Sequence, residues 1–142
     1  MNWFPKQTVV VPVDFSDDSI EAVDTGLQIV EDPSGLYVVH VLPEPSTMDS
    51  DPVWLEIDNT NRVRHATEAL RKRLAGEQYE RIQIEIAFGD PGYRIADFAQ
   101  RIGADLIVTP SHGRTGLERV LMGSVAERVL RLSHCPVLVL RR

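Results

Sequence analysis

The chain has 142 residues, 43% hydrophobic and 25% charged, which is the balance of an ordinary folded protein of one-domain size and not of a disordered one. With 15 basic against 21 acidic residues the formal charge is -6, a balance that repels a polyphosphate backbone and argues against nucleic acid as partner. The longest apolar runs fall far short of the roughly 20 residues that cross a bilayer, no export signal is visible, and the lone Cys135 suits a reducing compartment, so one cytoplasmic domain over residues 1–142, without membrane contact, is expected.

Residues Thr8 to Val13 are apolar throughout, which is how a strand covered on both faces reads. Ser16 suits a helix N-cap, and Ile20, Val23, Leu27 and Val30 then recur as a helical stripe until Pro33-Ser34-Gly35 stops the chain. A second strand is predicted over Leu36 to Leu42, followed by a loop from Pro43 to Asp51. Helical spacing resumes from about Asp58, with Val63, Ala66, Leu70 and Leu74 on one face. The basic cluster Arg62, Arg64, Arg71, Lys72 and Arg73 reads there as a solvated face.

Arg81 to Phe88 alternates Ile82, Ile84 and Ile86 with polar residues, as expected near a sheet edge. Pro91 opens a further helix whose stripe, Ile95, Phe98, Ala99 and Ile102, ends at Gly103. Asp105 to Thr109 makes the fourth strand, Ser124 to Ser133 the last helix and Pro136 to Leu140 the final strand. This order implies a five-stranded parallel, doubly wound, Rossmann-like α/β sheet with helices on both faces and strand order 3-2-1-4-5.

In such a sheet ligands bind outside the carboxyl ends of the strands where the order reverses, here between strands 1 and 4. The segments that meet there are Pro12-Val13-Asp14-Phe15-Ser16 and Pro110-Ser111-His112-Gly113-Arg114-Thr115-Gly116. Gly113 and Gly123-Ser124 leave room for a phosphate chain, and the N–H groups of Ser124 and Val125 at a helix start are suited to hold it. Taken alone, such glycines before helices more often form ordinary structural turns, and Asp14 could equally cap a helix or turn. His40 falls in the second strand, with His65 and His134 on helices, and no Cys/His/Asp spacing suggests a metal site.

These segments, with His40-Val41, Ala104 to Val108, Gly123-Ser124-Val125-Ala126-Glu127 and Cys135 to Val139, together resemble the universal stress protein family over nearly the whole chain. The family's ATP signature is a Gly, two residues, a Gly, nine residues, then Gly followed by Ser or Thr. Gly113, the stretch Arg114 to Met122, and Gly123-Ser124 match its second part, while Pro110 stands where the first glycine belongs. The resemblance implies ATP, carried with magnesium, as ligand. Asp14 would face the ribose, Val41 would hold adenine through its backbone, Ser111, His112, Gly113, Arg114, Gly123, Ser124 and Val125 would line the phosphates, and Pro12 and Val13 would also contact the nucleotide. It also implies a homodimer that covers the last strand, Pro136 to Leu140, whose apolar edge otherwise invites pairing.

A regulatory, ATP-binding stress-response module is the expected function, with no catalytic residue assigned. The alternatives are a slow ATP hydrolase or nucleotidyl-transfer enzyme of related fold, or a stress protein that binds no nucleotide. A phosphoacceptor receiver is rejected on Phe88-Gly89-Asp90 and Leu140-Arg141-Arg142 at its diagnostic positions, and the lack of G-x-G-x-x-G after strand 1 disfavours a dinucleotide site.

Overall fold

The computed structural model describes residues 3–45, 51–112 and 122–141. Its elements run β1 (Val9–Pro12), α1 (Asp17–Ile29), β2 (Leu36–Leu42), α2 (Pro52–Arg73), β3 (Gln83–Phe88), α3 (Pro91–Arg101), β4 (Leu106–Pro110), α4 (Ser124–Leu132) and β5 (Val137–Leu140). The strands form one sheet in the order β3-β2-β1-β4-β5, and every pairing is parallel.

Alternation along the central strand explains the two faces. Val9 and Val11 point to a core shared with Ile20, Val23 and Ala22 of α1 and Leu70 of α2, whereas Val10 points to a second core with Ile95, Phe98 and Ala99 of α3 and Val129 of α4. All three valines are fully buried, each worth about 1.5 kcal/mol or more on removal from water. A strand sealed on both sides reads as an unbroken apolar run, and that is how β1 was legible. β3 lies at an edge, with Ile82 buried, Ile84 and Ile86 partly buried against the first core and Gln83 exposed.

Three helices begin with side-chain caps. Ser16 accepts from Ser19 N–H, Asp51 from Val53 and Asp90 from Tyr93. Asp51 with Pro52 behind it sets the start of α2 well before Asp58, where the apolar stripe begins. The added turns carry Val53, Trp54 and Ile57 in exposed positions, so they present no core-facing periodicity to find. The predicted loop from Pro43 to Asp51 ends where α2 begins, at Pro52, and its residues 46–50 lie outside those described. His65 is helical as expected. His134 is not, because α4 is already capped at Ser133.

The basic face of α2 is engaged at several points. Arg62 donates to the Pro43 carbonyl at 3.0 Å and lies over the Phe88 ring, Arg71 donates to the Ile82 carbonyl at 3.0 Å, and Arg73 pairs with Asp17 at 2.8 Å. Cys135 is half-buried and packs against the second core, as a small apolar residue would. No helix among the described residues is long and apolar enough to cross a membrane.

Candidate nucleotide crevice at the carboxyl ends of β1 and β4

A cavity of about 310 Å³ opens at the carboxyl ends of the strands. Its walls are the end of β1 with Pro12, Val13 and Asp14, Val39 to Val41 of β2, Thr109 to His112 at the end of β4, and Gly123 to Ala126 at the start of α4. Nine of the sequence-predicted site residues therefore face one space: Pro12, Val13, Asp14, Val41, Ser111, His112, Gly123, Ser124 and Val125. Gly113 and Arg114 lie outside the described residues.

The β1 turn is tightly built. Asp14 Oδ1 accepts from Ser16 N–H at 3.1 Å and from Ser16 Oγ at 2.5 Å, and Ser16 Oγ in turn accepts from Ser19 N–H at 3.2 Å as it caps α1. The turn reading of Asp14 thus holds for this oxygen. Phe15, between them, takes φ 68, a left-handed conformation that costs a bulky side chain energy and persists only where neighbours enforce it. His40 supplies that support. Its Nδ1 lies 2.6 Å from the Val13 carbonyl, and its ring meets Phe15 edge-on with centroids 5.0 Å apart. A carbonyl only accepts, so Nδ1 carries the proton in this bond.

Opposite, Gly123 N–H donates to the Ser111 carbonyl at 2.6 Å and ties the end of β4 to the start of α4. Gly123 occupies the N-cap with φ -64 and has no side chain to cap the helix. The first intrahelical donor is Glu127, bonded to the Gly123 carbonyl, so the amides of Ser124, Val125 and Ala126 precede the helical ladder. The contrast with α3 is informative. There the Asp90 carboxylate occupies the N-terminus and pairs with Arg128 at 3.2 Å, so a negative charge is already in place. At α4 the corresponding place opens on the cavity.

His112 adds a polar group to the same wall. Ser111 Oγ and His112 Nδ1 are 3.1 Å apart, and His112 Nε2 is buried without a hydrogen-bond partner among the described residues. No carboxylate among them orients this ring, so the pair lacks the third member of a nucleophilic triad. Nor, among the described residues, do three or more His, Cys, Asp or Glu side chains gather where they could hold a metal ion.

Sequence reasoning did not place His40, Pro91 or Ile95 at the cavity, yet all three line it. Ile95 was legible only as part of a core stripe, and His40 only as a strand residue, because the cavity is a property of how β2 and α3 pack. The lining is mostly apolar with a few convergent polar groups, the usual make-up of a small-molecule site.

The profile of the universal stress protein family matches residues 6–141. Universal stress protein MJ0531 of Methanocaldococcus jannaschii is 39% identical over 140 residues, covering 94% of this chain and 81% of the relative. YxiE, a universal stress protein of Bacillus subtilis, is 31% identical and covers 94% of this chain and 97% of its own. Among solved structures, UspA from Lactobacillus plantarum superposes with a TM-score of 0.72 at 27% identity, over 95% of this chain and 97% of the other. A universal stress protein solved in complex with cAMP gives a TM-score of 0.63 at 28% identity, over 96% and 98% of the two chains.

Proposed function

The chain belongs to the universal stress protein family, and from that premise we propose that its crevice binds ATP as a regulatory ligand in a stress response, occupancy changing the domain's conformation or its affinity for a partner. The observation that carries this reading is the start of α4: three amides outside the helical ladder, with the N-cap position free of any side chain, opening on a cavity of nucleotide-compatible size. Val41 and Ile95 add an apolar lining suited to a base, and Asp14 adds a carboxylate to the same cavity. The cAMP complex of a similarly folded relative supports an adenine nucleotide as the ligand class. Magnesium would arrive with ATP, held chiefly by phosphate and water.

Calorimetry with ATP and magnesium, alongside identification of any nucleotide released when the purified protein is denatured, tests the reading. Saturable binding in the micromolar range is expected, as three or four charge-assisted hydrogen bonds allow after ordering costs. No heat at millimolar ATP and no released nucleotide would refute it.

We propose further that the protein works in the cytoplasm as a homodimer joined along β5. Among the described residues, the far edge of β5 has no partner strand beyond β4, and Leu138 on it is exposed.

A further inference from the structure

β1 pairs with β4 only as far as Val10↔Ile107, although β1 stays paired with β2 through Pro12↔Val39 and β4 with β5 through Pro110↔Leu140. The central strands therefore part earlier than their neighbours do, and the crevice opens where they part. Hydrogen-bond parity supplies the reason. Along an extended strand, successive residues turn their N–H and C=O alternately to the two neighbouring strands. Val13 donates to the Val39 carbonyl on β2, so residue 12 is turned towards β4. Ile107 and Ser111 donate to the Pro136 and Leu140 carbonyls on the β5 side, so residue 110 is turned towards β1.

The next rung between β1 and β4 would need an N–H from residue 12 to the Val108 carbonyl and another from residue 110 to the Pro12 carbonyl. Both positions are proline, and neither N–H exists. The Pro12 carbonyl thus faces the parting with its ladder donor missing, on a residue that lines the cavity. A carbonyl can only accept, and a buried one requires a donor from somewhere. The Pro110 carbonyl takes the Thr109 hydroxyl at 3.2 Å, and Asp14 adds a carboxylate close by. This part of the floor therefore offers acceptors where a phosphate would need donors.

We propose that Pro110 is a specificity-determining residue: by withholding the N–H that would claim the Pro12 carbonyl, it reserves that oxygen for a hydroxyl of a bound sugar. The inference rests on the nucleotide reading above, in which the ribose already lies by Asp14, and adds to it how Pro110 leaves the Pro12 carbonyl available to that sugar. A neutral, hydroxyl-bearing group sits there, and phosphates are left to the α4 amides.

The test compares adenosine with 2′,3′-dideoxyadenosine, and includes ATP, by calorimetry on the wild type, P110A and P110G, each checked by circular dichroism. For the wild type, the dideoxy analogue should bind about ten-fold more weakly, the worth of roughly one hydrogen bond. In both variants the new N–H competes for the Pro12 carbonyl, so the preference for the diol should contract by about three-fold or more. The new amide should also exchange slowly with solvent in the ligand-free variants. An unchanged preference in P110A and P110G, or equal wild-type affinity for the two nucleosides, overturns the proposal. If the wild type binds neither adenosine nor ATP, the nucleotide reading itself falls and this inference with it. Should P110A fail to fold, P110G brings the same N–H and decides.

Discussion

Asp32 shows how much a few short contacts at one exposed residue can do. Ser34 donates both its N–H and its hydroxyl to Asp32 Oδ1, at 2.9 and 2.7 Å, and Arg81 donates to the same oxygen at 2.7 Å. The Ser34 hydrogen bonds, first the backbone one, and then Arg81 favour the ionised form and hold the carboxyl at about 2 against an ordinary 3.8. Because the folded value lies below the unfolded one, the stability this group lends is present above 3.8 and disappears as pH falls through about 2. We expect the urea midpoints of wild type and Asp32→Asn to differ at pH 5 and to converge as the pH is lowered across that window. A gap that stays constant with pH would contradict the assignment. At the candidate site the decisive residue is Gly123. Its φ of -64 suits any amino acid, so Gly123→Val should fold, at the cost of a poorer N-cap worth about 1 kcal/mol. The added branches would crowd the path to the Ser124 and Val125 amides. ATP affinity should then fall by at least about ten-fold with an unchanged circular dichroism spectrum, and wild-type affinity in this variant would remove α4 from the site.

At the scale of elements, α1 lies close against the sheet at Gly26. A Cβ on Gly26 would come within 2.7 Å of Leu36 Cδ1 and 3.0 Å of Val11 Cγ2, both in the packed interior. Gly26→Val should therefore destabilise the fold by about 1–3 kcal/mol in chemical denaturation, the usual range for overpacking, and a neutral result would mean that α1 can lift away at little cost. The same packing explains what the sequence could and could not reveal. β1 was legible as an unbroken apolar run, and α1 and α3 because burial imprints a helical period on them and because Ser16 and Pro91 mark their starts. The first turns of α2 were not, since Val53, Trp54 and Ile57 face solvent and leave no core stripe. Within the site, Asp14, Ser111 and Gly123 stood out through loop chemistry and resemblance to a family. His40 did not, because its bond to the Val13 carbonyl depends on β1 and β2 lying side by side. Nor could the missing rung between Pro12 and Pro110 be read, since it needs the register of two strands far apart in the chain.

For the whole molecule, the proposed dimer turns on the outer edge of β5. The β4–β5 ladder takes its acceptors from the Pro136 and Leu140 carbonyls, so by alternation residues 137 and 139 turn their N–H and C=O groups away from β4. Val139→Pro would remove one outward donor while sparing the hydrogen bonds to β4, which separates assembly from folding. Leu138→Lys would place a charge on an exposed apolar position of the same edge, a device by which edge strands avoid pairing. Wild type should sediment as a dimer at micromolar concentration, and each variant should shift towards monomer with its circular dichroism spectrum intact. Two features make the experiment discriminating. Strand-to-strand pairing predicts that Val139→Pro disrupts the dimer although it leaves an apolar surface behind, whereas association through exposed side chains of α4, Leu130 and Leu132 among them, would survive it. A wild type that sediments as a monomer, or a dimer indifferent to both substitutions, would exclude β5 as the joining edge.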